Sequence, residues 1–113
     1  MKQIRFYQII TAISCLFLIS CGIEQNLKKA DKHLSLGEYY DAATQYKKVY
    51  TQTPTKERAA RGKVALKMAR CYDKINSTPK ALAAYSNAIR YKQADLNDRM
   101  AYARLPLKNG SHR

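Results

Sequence analysis

The sequence predicts an all-α domain, a short stack of antiparallel helix pairs, on three observations. Between residues 24 and 104 the chain is dominated by Ala, Leu, Lys, Arg and Gln, which are good helix formers. Its apolar residues recur at three- and four-residue spacings, and no alternating run suits a strand. Breakers punctuate the helical stretches at Gly37, Pro54, Asn76-Ser77-Thr78-Pro79 and Pro106. The 113 residues suffice for one small domain.

The N-terminus reads as an address. Lys2 and Arg5 precede an apolar run from Ile9 to Ile19. That run is too short for a membrane-spanning helix, which needs roughly 20 residues. It fits the apolar region of a secretory signal peptide covering residues 1–20. The run ends Leu18-Ile19-Ser20-Cys21-Gly22, which resembles the lipobox of bacterial lipoproteins. A thiol at the membrane surface can take a diacylglycerol, and the small Ser20 lets a peptidase reach the bond before it. Cys21 is the expected lipidation residue, and its acyl chains (palmitate among them) would each bury many methylenes at about 0.8 kcal/mol apiece. Cys15 lacks this surrounding motif. Residues 21–25 are then a lipidated tether, 26–110 the helical domain and 111–113 a tail. The expected location is the cell envelope, at the periplasmic face of the outer membrane.

Charge and cysteines narrow the function. Lys and Arg outnumber Asp and Glu by 21 to 8, a net charge of +13. Loss of Lys2 and Arg5 with the leader would reduce it to +11. Such an excess suits an anionic partner, and it suits equally a solvated basic surface. Export makes nucleic acid an unexpected partner. Cys71 is the one remaining thiol, so no internal disulfide is expected, and its apolar neighbours suit a small core residue. There is no CxxC or Cys/His cluster for a metal, and His33 and His112 stand far apart without evident companions. No carboxylate pair in register, Ser/His/Asp set or glycine-rich phosphate loop points to an enzyme. Neither a cofactor nor a small-molecule substrate is expected. Asp95 and Asp98 share a helix start, where they offset the helix dipole.

The helices follow in order. Gly37 suits the turn that stops the first one. In the second, Ala42, Tyr46 and Val49 share a face, and Pro54 closes it. Ala81, Tyr85 and Ala88 repeat that spacing 39 positions on. Ala69 lies twelve residues before Ala81, as Ala30 lies twelve before Ala42, and Tyr72 takes the place of His33. Thr78 suits the cap of the fourth helix, with Pro79 in its first turn. These small and aromatic positions, with the glycine turn and closing proline, resemble tetratricopeptide repeats. The resemblance implies about two repeats plus a partial third. The usual period is 34, and the five extra residues fit an extended start of the third helix within residues 55–60. Ala103 lies 34 after Ala69, and Gly110 falls where a third glycine turn belongs. Pro106 leaves open whether the last helix runs past Leu105. A plain bundle of amphipathic helices is the other arrangement this pattern allows.

The stretches Ala30-Asp31-Lys32-His33, Gly37-Glu38-Tyr39-Tyr40-Asp41-Ala42-Ala43 and Lys67-Met68-Ala69-Arg70-Cys71-Tyr72 are similar to one group in particular. They resemble the N-terminal repeats of Bacteroidota outer-membrane lipoproteins that join tetratricopeptide repeats to later propeller and OmpA-like domains. Some of those serve type IX secretion and gliding. The resemblance implies a scaffold that binds envelope proteins in a groove lined by the first helix of each pair. Carried over by position, the groove takes Leu27, Asp31 and Leu34 from the first pair, then Lys63, Leu66, Arg70 and Lys74. Met100 and Arg104 come from the last helix. Its natural ligand is an acidic segment with apolar anchors. The carboxylate-clamp pattern of such modules is not matched. The leucines suit a core equally well, and the cations a solvated stripe. The other functional classes are an assembly or chaperone lipoprotein, an electrostatic binder of anionic envelope polymers, and a shortened relative of a longer lipoprotein.

Overall fold

The computed structural model describes residues 22–108. The signal peptide, Cys21, Gly110 and the 111–113 tail lie outside them. Among the described residues five helices run in sequence: α1 over residues 22–35, α2 Tyr39–Gln52, α3 Arg58–Lys74, α4 Thr78–Arg90 and α5 Leu96–Lys108. There is no strand among the described residues. Residues 22–25, expected as part of a tether, are the first turn of α1. No helix among the described residues is long and apolar enough to cross a membrane.

Consecutive helices fold back through three turns of one kind. At the end of α1, Gly37 N–H donates to Leu34 O and Glu38 N–H to His33 O. The same pair of bonds recurs at Asn76 and Ser77, to Asp73 O and Tyr72 O, and at Lys92 and Gln93, to Ile89 O and Ala88 O. Each turn places one residue in the left-handed region, with φ of +74° at Gly37, +59° at Asn76 and +61° at Lys92. This geometry satisfies the last helical carbonyls and reverses the chain. Gly37 and Asn76 are 39 positions apart, so the repeat read from the alanines is also a repeat of turns.

The core is built from alanines at the helix crossings and tyrosines beside them. Ala30, Ala42, Ala69 and Ala81 are fully buried, and Tyr46 and Tyr85 occupy equivalent buried places in α2 and α4. Val49, Met68, Cys71, Tyr72 and Leu105 fill the remainder. Alanine lets two helix axes approach, and a neighbouring tyrosine fills the space at the flank of the contact. The Tyr46 hydroxyl donates to Asp31 Oδ1, so its polar tip is satisfied.

Two local expectations change, and one point that the sequence leaves open is decided. Thr78 does not cap α4 from outside; it is the first helical residue and is buried, while Ser77 precedes it without a side-chain capping bond. The turn at Asn76 delivers the chain directly into the helix, and Pro79 removes one N–H that would need an acceptor. The third helix begins at Arg58, so half of the 55–60 span is a turn. Here Thr53 Oγ1 and N–H both bond Val49 O, and Arg61 Nη1 donates to Tyr50 O at 3.1 Å and Thr53 O at 2.8 Å. A guanidinium on these C-terminal carbonyls also suits the α2 dipole. Finally, α5 continues past Leu105 to Lys108 with Pro106 inside it. Leu105 is buried and holds this turn to the core, while proline gives up one backbone bond.

At Gly62 the third helix meets the turn after α4. A Cβ there would stand 2.5 Å from Gln93 Cγ and 2.7 Å from Tyr91 Cβ. Gly62→Ala should therefore lower the unfolding free energy by about 1–3 kcal/mol. Urea denaturation would measure this against Lys63→Ala, expected to be nearly neutral.

Burial pushes the Cys71 thiol up to about 11, and burial likewise raises the Tyr46, Tyr72 and Tyr85 hydroxyls. Between about pH 9 and 11 the unfolded chain releases protons that the folded chain keeps. For Cys71 the stabilisation is complete below about pH 9 and is lost as pH rises from there to about 11, while the share of the tyrosines begins to fall only near pH 10 and goes on falling above that window. Cys71→Ala should flatten the early part of that decline in a stability–pH series.

Candidate functional site

Side chains from three helices enclose a hollow of about 340 Å³ between α1 and α3. Ile23 and Leu27 of α1 form one wall, Val64 and Leu66 of α3 the other, and Val49 and Thr53 the floor. Lys63, Lys67 and Arg70 stand on its rim. Leu27 and Leu66 are half-buried and pack on the core. Four of the residues expected in a partner groove, Leu27, Lys63, Leu66 and Arg70, are thus brought together.

The rest of that set is dispersed. Leu34 packs on the core, half-buried, near the far end of α1. Lys74 is exposed in the last turn of α3. Arg104 donates from Nε to Met100 O at 3.4 Å and lines a separate hollow with Asp73, Ala101 and Leu105. Met100 is 50 % exposed beside it.

Two ion pairs cross this face. Lys67 Nζ lies 3.2 Å from Asp31 Oδ1, joining α3 to α1. Arg70 grips Asp98 of α5 with both ends of its fork: Nη2 stands 2.9 Å from Oδ1 and 3.1 Å from Oδ2, and Nε 3.1 Å from Oδ1. The Asp98 side chain is only 7 % exposed against 52 % for Arg70. Asp98 also accepts from Asp95 N–H, while its own N–H donates to Asp95 Oδ1. This reciprocal pair caps α5, as the helix-dipole reading of these acids anticipates. The backbone N–H of Asp98 holds the Asp95 carboxyl below its usual value. Arg70 is therefore engaged within the protein. Lys63 is the rim cation without an ion-pair partner among the described residues.

His33 does have companions, contrary to the sequence reading. Its Nδ1 lies 3.3 Å from Glu38 Oε2, and ligand-type atoms of His33, Glu38 and Asp41 fall within 4.8 Å of one another. The turn at Gly37 folds the start of α2 back onto the end of α1. An imidazole at a helix C-terminus and carboxylates at the next N-terminus each suit a helix dipole, which accounts for the grouping.

Besides the His33 grouping and the Lys67–Asp31 pair, sequence reasoning missed the contacts of Arg61 and the Arg70–Asp98 pair. Their partners lie 8 to 30 residues away and leave no local pattern. The Asp-x-x-Asp spacing at residues 95–98 was the one legible signal. Arg70→Ala should cost about 2 kcal/mol, because a mostly buried carboxylate loses a bidentate partner, whereas Lys74→Ala should cost less than about 0.5 kcal/mol. Urea denaturation checks the difference, and hydrogen exchange should show the loosening concentrated in α5.

No protein-family model matches this chain, and no curated protein or solved structure matches it either.

Proposed function

We propose that this chain is a membrane-anchored protein–protein interaction scaffold of the bacterial envelope. It is held by lipid on Cys21 at the periplasmic face of the outer membrane and belongs to a secretion or assembly machine. The observation that carries the reading is the hollow between α1 and α3, with Leu27 and Leu66 in its walls and Lys63 on its rim. An apolar side chain of a partner would fill the hollow, and a neighbouring carboxylate would meet Lys63. The resemblance of the repeat residues to envelope tetratricopeptide lipoproteins supports the same role.

The ion pairs restrict where such a partner binds. Asp31, Lys67, Arg70 and Asp98 satisfy one another across the three alternate helices. The free contact surface is then the apolar hollow and Lys63, at the end of α1 that begins with residue 22.

In-cell crosslinking of the full-length tagged chain tests this. One or a few envelope proteins should be recovered with the wild type and reduced with Cys21→Ala. Lys63→Glu combined with Leu66→Gln should lose them at unchanged abundance and helicity. Equal recovery with the groove variant would reject this hollow as the binding site.

A further inference from the structure

The alternating direction of the helices gathers three chain segments at one end of the stack. They are the start of α1, the 53–57 turn with the start of α3, and the 91–95 turn. Asn26 Nδ2 donates to Gln52 Oε1 at 3.0 Å, Ile23 shares a hollow with Thr53 and Ala60, and Gly62 abuts Tyr91 and Gln93. Three arginines converge here on one tyrosine. Arg58 Cζ is 5.4 Å and Arg90 Cζ 5.6 Å from the centre of the Tyr91 ring, and Arg61 Nε is 3.4 Å from its hydroxyl.

None of the three guanidiniums has a carboxylate within ion-pair distance among the described residues. The ion pairs there are His33–Glu38, Lys67–Asp31 and Arg70–Asp98, all elsewhere. Glu24, Glu57 and Asp95 belong to this end, yet none of them pairs with the cluster. Arg61 is held by backbone carbonyls and lies over the Tyr50 ring, Arg90 donates to Asn87 Oδ1, and Arg58 lies against the Tyr91 ring. Arg58 and Arg90 are exposed, as are Lys56 and Lys92 in the adjoining turns. Leu96, 73 % exposed, starts α5 at the same end.

We propose that this end of the stack docks on an anionic bilayer, with the exposed Arg58 and Arg90 beside Tyr91 receiving lipid phosphate groups and Arg61, held by backbone carbonyls, fixing the Tyr91 hydroxyl between them. Guanidinium forks match phosphate oxygens, and a concentration of cations without counter-charges is relieved by a bound anion. Exposed Lys56 and Lys92 widen the footprint, and Leu96 is placed to enter the interfacial region. The choice of a bilayer over another phosphate source rests on the proposed tether, because Cys21 is one peptide bond from Gly22 at this end. The anion chemistry stands without it.

The test uses the full-length chain carrying Cys21→Ser in every sample, so that acylation plays no part. Flotation is compared on phosphatidylcholine vesicles and on vesicles in which about a third of the lipid is phosphatidylglycerol. Arg58→Glu with Arg90→Glu should weaken the anionic-vesicle binding by at least about tenfold. Lys74→Glu with Lys80→Glu makes the same charge change at the opposite end and should leave binding within about twofold, thermal melts confirming that both variants fold. Equal loss from both pairs, or loss from neither, overturns the proposal. Loss of soluble polyphosphate binding in the arginine variant, with vesicle binding kept, overturns the lipid assignment. Palmitate labelling of the wild type reads the Cys21 tether separately.

Discussion

Helices can approach closely only where the side chains between them end at Cβ, and this chain places alanine at those points. Ala30 and Ala42 hold one such position in the first pair, and Ala69 and Ala81 hold it in the second. Once the alanines set the spacing, the places left for larger groups follow. Tyr46 and Tyr85 fill equivalent gaps, and Cys71 and Val49 take up smaller ones. All four alanines are closed off from solvent, so a larger side chain at any of them would have to displace a neighbour or part the helices. The left-handed turns then reverse the chain at the distance the alanines permit.

A protein with so many cations must also keep them from disrupting the stack. Most lie exposed on the surface, and a few are given partners within the fold. Asp31 serves Tyr46 and Lys67 together, and Asp98 serves Arg70 while capping its own helix. Both acids lie on alternate helices, so the pairs tie helices that are not neighbours in sequence. Arg61 uses backbone carbonyls in place of a carboxylate. The acids are few, and this distribution leaves the remaining positive charge at the surface.

Features written in short stretches of the chain are legible in the sequence alone. The small–aromatic spacing around Ala42 and Ala81 reports the buried face of each helix, and Gly37 reports a turn that needs positive φ. Cys71 was readable as core because its apolar neighbours recur at helical spacing. Thr78 was misplaced because Ser77, Thr78 and Pro79 offer overlapping starts, and the turn at Asn76 decides between them. Lys92 gave no sign of its left-handed backbone, since lysine has no preference for that region. The candidate groove was half legible. Position along the helices brings Leu27, Lys63 and Leu66 to one hollow, as the structure has them, but Arg70 answers to a carboxylate 28 residues away that helical periodicity cannot reveal.

Residue 22 is already helical, and that changes what a lipid on Cys21 would be attached to. A loose leader would let the domain sweep a wide volume, with a reach growing as the square root of its length. A helix that starts beside the anchor behaves as a stiff post instead. The 22–35 segment rises only about 21 Å. Anything captured beside Ile23 and Leu27 would then be held within a few nanometres of the lipid surface. The collision problem becomes nearly two-dimensional: partners that share the same membrane meet it often, and freely diffusing ones seldom.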